Sequence, residues 1–152
     1  MATIGEILPY MDVSRQSSRQ VFKPIKDLGY LMEDILVGIG SFLPNRGVDI
    51  SHDDVKWAQF FYERKSKYSV LKNVQFRIRE FPESEELDQA YSNLVATGVL
   101  FWGGMAVHPL HQFSPACKIC FESYSKKLFN NKELAELQKL SLEFQERFVQ
   151  SS

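Results

Sequence analysis

Apolar residues recur at helical spacing along most of the chain. In the first long series they lie three or four positions apart, at Val21, Ile25, Leu28, Leu31, Met32, Ile35, Leu36, Ile39 and Leu43. Similar series run from Trp57 to Phe81 and from Leu87 to Met105. No run alternates apolar and polar residues in the manner of a half-buried strand. The pattern therefore predicts an all-α protein in which each helix buries one face.

Capping residues predict where several of these helices begin. Ser51 and Ser84 each precede acidic residues, which is typical of an N-cap followed by a first turn that favours negative charge. The pair Ser114-Pro115 is typical of an N-cap and a first helical position. We expect that helix to span residues 115–129, and a last helix to span residues 132–149.

No internal repeat, low-complexity segment or linker divides the chain, and its 152 residues fit one domain. We therefore predict an irregular single-domain bundle of roughly five to seven helices over residues 1–152. Residues 1–16 are a candidate for a loosely attached N-terminal helix, because a proline and a polar stretch limit their apolar run.

The composition excludes several classes of protein. Hydrophobic residues make up 44% of the chain and aromatic residues 13%, which is too many for a disordered protein. The formal net charge of -1 argues against a dedicated nucleic-acid binder. Two cysteines do not form a disulfide framework, and the first residues do not resemble a signal peptide, so we expect a cytoplasmic protein. The apolar stretch Leu94–Val107 is too short for a membrane span, so no membrane association is expected.

One short segment contains most of the potential soft-metal ligands, namely both cysteines and two of the three histidines. His108 and His111 form an H-x2-H pair, and Cys117 and Cys120 form a C-x2-C pair five residues later. Neutral imidazole and thiolate are the ligands that structural zinc prefers. The separation between the pairs is shorter than in usual two-pair zinc sites. Zinc is therefore a candidate cofactor of these four residues.

Two other interpretations of the cysteines stay open. Cys117 and Cys120 fall on a helical stripe with Phe121, Tyr124 and Leu128, which is typical of a buried helix face. This interpretation needs no metal, and we favour it. If Ser114 is an N-cap, Cys117 also lies in a first turn, where the helix dipole can lower a thiol pKa and favour redox sensing.

A basic segment with interleaved aromatic residues is a candidate binding surface. Residues 56–80 contain seven lysines and arginines against two glutamates. Trp, Tyr and Arg are the side chains that most often anchor protein interfaces. The candidate partner-binding residues are Trp57, Tyr62, Arg64, Lys65, Lys67, Tyr68, Lys72 and Arg77. The competing interpretation is a solvated helix face with its aromatic side chains turned inward.

A third candidate is the pair of Arg46 and His52, six residues apart. In a nuclease-like site an arginine stabilises phosphate charge while a histidine transfers the proton. The competing interpretation is a turn arginine and an exposed histidine in a first helical turn. The sequence contains no G-x-S-x-G motif, no S-x-x-K motif and no glycine-rich phosphate loop. Whether the chain is an enzyme stays open, and a non-catalytic function is favoured.

These observations favour an intracellular, non-catalytic helical protein that binds another protein, in the manner of an inhibitor, immunity protein, adaptor or secretion chaperone. The basic segment predicts a partner with an acidic surface and favours a protein over nucleic acid. A homodimer through an exposed apolar helix face also stays open. The alternative is a small zinc-binding or nuclease-like helical protein that uses the His108/His111/Cys117/Cys120 cluster or the Arg46/His52 pair.

Overall fold

The computed structural model describes residues 29–43, 49–102 and 110–149. By its internal contacts the chain divides into Met1–Tyr30 and Leu31–Ser152, and the second unit is described below. The predicted N-terminal helix at residues 1–16 lies outside the described residues. One domain over the whole chain therefore stays a prediction.

The second unit is predominantly helical, as the sequence predicts. Its described residues form five α-helices: α1 Met32–Phe42, α2 Asp54–Arg64, α3 Glu85–Ala96, α4 Pro115–Ser123 and α5 Asn131–Phe148. Two short 3-10 helices, Ser69–Leu71 and Ser125–Leu128, follow α2 and α4. No helix within the described ranges is both long enough and apolar enough to cross a membrane.

Two small antiparallel sheets correct the all-α prediction. The first has the strand order β1–β5–β4, formed by β1 Ile50–Ser51, β5 Leu110–Phe113 and β4 Leu100–Trp102. The second is a hairpin of β2 Arg77–Ile78 and β3 Pro82–Glu83. The strands contain two to four residues. Alternation becomes recognisable in a sequence only over about four to eight residues, so these strands leave no clear pattern.

Two of the predicted helices end earlier than their apolar stripes. The stripe that begins at Leu87 continues to Met105, but α3 ends at Ala96 and the chain enters β4. Gly98 lies between them with a φ of 79°, a left-handed conformation that ends helices and favours glycine. Likewise α2 ends at Arg64, and the apolar series that continues to Phe81 passes through a 3-10 helix and β2.

The caps that begin the helices are partly as predicted. Ser84 caps α3, because its Oγ accepts a hydrogen bond from the Leu87 amide at 3.2 Å. Asn130 caps α5 and accepts from the Glu133 amide at 2.8 Å. Asp53, rather than the predicted Ser51, caps α2, since Ser51 already belongs to β1. These caps fix the starting points of the three helices that surround the candidate sites.

Helix α1 is the centre of the unit and contacts α3, α4 and α5. At Gly38 a Cβ atom would lie 2.9 Å from Cδ1 of Leu137 and 3.2 Å from Cε1 of Phe121. Both neighbours are fully buried. Glycine at this position therefore allows α1 to approach α4 and α5 closely.

Aromatic side chains fill the space between α2 and α5. The Phe144 ring lies 5.1 Å from Trp57, 5.6 Å from Phe60 and 4.8 Å from Phe148, measured between ring centroids. Phe60, Phe61 and Phe144 are completely buried. This cluster packs α2 against α5 in the core.

Candidate functional site

Part of the predicted basic surface is paired with Glu143 on α5. Arg64 donates from Nε to this carboxylate at 2.5 Å, the Tyr68 hydroxyl donates at 2.5 Å, and Lys67 Nζ lies 3.2 Å away. Burial raises the pKa of Glu143, but the hydrogen bonds from Tyr68, Arg64 and Lys67 outweigh it and hold the pKa below the usual carboxyl value. The three side chains thus stabilise the packing of α2 against α5.

Two of the predicted partner-binding aromatics belong to the core. Trp57 is 1% exposed, and its Nε1 donates to the Ser51 carbonyl at 3.0 Å. Tyr68 is 3% exposed. Because both rings lie on the inward side of their elements, they are not available to a partner in this structure. Large aromatic side chains gain most from such burial.

The other predicted residues remain nearer the surface. Tyr62 and Lys72 are exposed, and Arg77 is exposed beside Glu83 at 3.6 Å and Glu85 at 3.9 Å. Lys65 is half-buried and donates its Nζ to the Val74 carbonyl. Exposed ion pairs of this kind contribute about 0–1 kcal/mol and exchange readily with water or another charge.

The β2–β3 hairpin exposes apolar residues that the sequence pattern predicts on a buried helix face. Ile78 is 55% exposed and Phe81 is 50% exposed, on either side of the hairpin turn. Arg79 lies between them, and the rings of Phe76 and Tyr62 meet at 5.5 Å beside the hairpin. We call this group the hairpin surface; its members are Tyr62, Phe76, Arg77, Ile78, Arg79 and Phe81.

Beside the hairpin lies a cleft of about 350 Å³. Its lining consists of Gln75, Phe76, Arg77, Glu83, Glu85, Glu86 and Asp88. Four carboxylates against one guanidinium give this acidic cleft a formal charge of -3. Burial, together with the carboxylates of Asp54, Glu83 and Glu85, raises the pKa of Asp88. Negative charge therefore accumulates where the first turns of α2 and α3 approach the hairpin.

A second cluster brings together two histidines that the sequence assigns to different hypotheses. The His52 ring lies flat on the Tyr91 ring, with 3.8 Å between centroids and 2° between planes. His111 on β5 meets His52 edge-on at 5.6 Å, and its Nε2 lies 2.8 Å from the Tyr91 hydroxyl. The histidine cluster, His52, Tyr91 and His111, joins β5, the start of α2 and the middle of α3.

The environment of the histidine cluster favours neutral imidazoles. Burial lowers the pKa of His111, and burial lowers that of His52 against the opposing attraction of Asp54. The buried Nδ1 of His111 has no hydrogen-bond partner among the described residues. A proton there would be unpaired, so the favoured tautomer carries its proton on Nε2 and donates to Tyr91. One stacked and two edge-on ring contacts thus hold the three side chains together.

The predicted metal cluster is only partly described. His108 lies outside the described residues, as does Arg46. Cys117 donates from Sγ to the Val37 carbonyl at 3.2 Å, and burial raises its pKa to about 12. Such a thiol resists forming the thiolate that metal binding or redox sensing requires. Within the described ranges no three His, Cys, Asp or Glu side chains are grouped to hold a metal. Zinc binding by the four residues stays a prediction.

The histidine cluster predicts that stability depends on pH. Because both imidazoles bind protons more weakly in the folded protein, lowering the pH below about 6.5 favours the unfolded chain. We expect the free energy of unfolding to decrease when the pH is lowered from 7.5 to 5.5. The decrease should be smaller in His111→Gln than in the wild type. Urea denaturation at both pH values measures the effect, and identical pH slopes for the two proteins would contradict it.

Comparison with protein-family models, curated proteins and solved structures finds no match to this chain. The sequence pattern predicts Tyr62 and Arg77 as partner-binding residues, but it does not predict that Ile78 and Phe81 are exposed. Phe81-Pro82 predicts the end of the helical series, because a helix does not usually continue through the residue before proline, but it does not predict that these two side chains are exposed.

Proposed function

We propose that this chain is a non-catalytic protein that binds another protein through the hairpin surface. The observation that carries the proposal is the half-exposed pair of Ile78 and Phe81, with Arg77 and Arg79 beside them. When a partner covers an exposed apolar side chain, the complex is stabilised by about 25 cal/mol for each Å² of apolar surface removed from water. Aromatic residues and arginine are also the usual anchors of interfaces.

Exposed apolar residues elsewhere on the described surface support the proposal less well. Ile119 on α4 is 64% exposed, and Tyr124, just after the end of α4, is 71% exposed. The completely buried Phe121 lies between them, so they do not form one continuous exposed stretch of chain. In contrast, five of the six members of the hairpin surface lie within residues 76–81, and the contact of Phe76 with Tyr62 links them to α2.

The alternative functions gain less support from the described contacts. The His52 side chain is 10% exposed and lies against Tyr91 and Trp57, which suits a packed residue more than a proton donor to a substrate. The expectation of an acidic partner also loses support, because Glu143 binds Arg64 and Lys67. The partner is instead expected to meet a surface of mixed apolar and charged character.

Photo-crosslinking tests the proposal. A benzophenone amino acid is placed at Phe81 in one variant and at the more exposed Tyr124 in a control variant. Cross-links are then formed in cells of the source organism, and the attached protein is identified by mass spectrometry. We expect one specific protein to be cross-linked from position 81 and not from position 124. The same attachments from both positions, or attachment only to a second copy of this chain, would contradict the proposal.

A further inference from the structure

We infer that Lys65 is a positioning residue for the hairpin surface, because it fixes the segment that leads into β2 and so holds the exposed hairpin in one orientation. The inference rests on the proposed function and names a residue outside the hairpin on which binding through that surface depends. Lys65 directly follows α2 and contacts both Val74 and Phe76. The sequence predicts Lys65 as a partner-binding residue, whereas these contacts give it an indirect role.

The hairpin contains too few contacts to fix its own position. Its two strands have two residues each, and they pair Arg77 with Glu83 and Ile78 with Pro82. An isolated two-stranded hairpin is at best marginally stable in water. The ion pairs of Arg77 and Arg79 with Glu83 join the strands, but they are exposed and contribute little. The order of the hairpin therefore depends on contacts with the rest of the protein.

The segment just before β2 supplies such contacts to two helices. Val74 is 4% exposed, and its carbonyl accepts a hydrogen bond from Nζ of Lys65. The next residue, Gln75, donates its amide to Oε1 of Glu86 on α3 at 2.7 Å. The chain is thus held beside the end of α2 and beside the first turn of α3 immediately before the hairpin begins.

Lys65 also contacts the first aromatic residue of the hairpin surface. Its Nζ lies 5.8 Å from the centroid of the Phe76 ring, and the same ring meets Tyr62 on α2 at 5.5 Å. An aromatic face attracts an ammonium group, and a hydrogen bond from a charged donor is stronger than one between neutral groups. Loss of this ammonium group therefore removes the donor to the Val74 carbonyl and weakens the contact with Phe76.

Preorganisation connects these contacts to binding. Ile78 and Phe81 follow Phe76 by two and five residues, so a displacement of residues 74–76 also displaces both exposed side chains. A partner that covers a mobile hairpin must order it, and the lost conformational entropy lowers the affinity. Lys65 therefore contributes to the affinity by ordering the hairpin before the partner binds.

Hydrogen exchange of the full chain, followed by mass spectrometry, tests the positioning role without a partner. Lys65→Met removes the ammonium group and keeps an apolar side chain, whereas Lys65→Arg keeps a charged donor. Lys72→Met is the control, because it removes an equal charge from an exposed lysine of the same segment. We expect the amides of residues 74–83 to exchange about fivefold faster or more in Lys65→Met and at the wild-type rate in the other two variants. Exchange in α1 and α5 should be unchanged in all three.

Isothermal titration with the protein that is cross-linked from position 81 measures the effect on binding. We expect Lys65→Met to weaken the affinity about fivefold or more, and Lys65→Arg and Lys72→Met to leave it within about twofold. In the complex, residues 74–83 should exchange equally slowly in the wild type and in Lys65→Met, because the partner orders the hairpin in both. A purely structural role of Lys65 would not produce this difference between the free and the bound protein.

Two results would overturn the inference. The first is equal exchange of residues 74–83 in Lys65→Met and the wild type. The second is faster exchange together with an affinity equal to that of Lys72→Met, which would mean that the order of the hairpin does not affect binding. If no protein is cross-linked from position 81, the proposed function fails, while the exchange experiment still decides whether Lys65 orders the hairpin. The failures of the two proposals are thus distinguishable.

Discussion

Replacing Phe144 by alanine is expected to lower the free energy of unfolding by about 4 kcal/mol, the largest effect that we predict for any single substitution here. The ring is completely buried, and it contacts aromatic side chains from both α2 and α5. Its removal exposes no polar group but leaves a cavity between two helices that the surrounding rings hold apart. Urea denaturation at pH 7.5 measures the loss.

Leu142→Ala is the control for this substitution. Leu142 lies on the same helix and is 51% exposed, so its truncation should change the free energy of unfolding by about 0.5 kcal/mol or less. A loss below about 2 kcal/mol for Phe144→Ala would mean that α2 and α5 are not packed through this ring, since buried Phe to Ala changes cost about 3–5 kcal/mol.

The second large effect is expected at Glu143. Its replacement by alanine removes the acceptor of Arg64, Lys67 and Tyr68, two of which are largely buried. Donors left without partners in such a place cost about 1–3 kcal/mol each, so we expect a loss of about 3 kcal/mol. Glu143→Gln keeps an acceptor but loses the charge, so its free energy of unfolding should lie between those of the wild type and the alanine variant.

A double-mutant cycle with Tyr68→Phe isolates one contact of this network. We expect a coupling energy of about 1–2 kcal/mol between Tyr68 and Glu143, measured from the four free energies of unfolding. The pH dependence of stability is a further test, because its direction is predicted. Because the folded pKa of Glu143 is lowered, its contribution is present above the ordinary carboxyl pKa of 4.5 and is lost as the pH falls through the folded value. Additive effects of the two substitutions would argue against the hydrogen bond.

The helical part of the fold could be predicted from local signals. Ser84 marks the start of α3 correctly, because its cap depends on a hydrogen bond within one turn. The small sheets could not be predicted, since β1 pairs with β5 across about sixty residues and each strand is too short to show alternation. Gly98 was the local sign that the apolar stripe of α3 leaves the helix.

The candidate sites were predictable only as separate residues. Arg64 and Lys67 are recognisable as basic in the sequence, but their partner Glu143 lies 79 and 76 residues further along the chain. His52 and His111 belong to two separate hypotheses until the fold places their rings in contact. The charged residues can be read from the sequence, but the partner of each one depends on how distant elements pack together.

The affinity of the partner found by cross-linking tests the central claim most directly. Isothermal titration compares the wild type with Ile78→Ser/Phe81→Ser and with the control Ile119→Ser/Tyr124→Ser. All four residues are exposed, so neither pair should unfold the protein. If the hairpin surface binds the partner, the first pair weakens the affinity about thirtyfold or more, and the control leaves it within about twofold. Equal affinity of the two double variants would contradict the assignment of this surface.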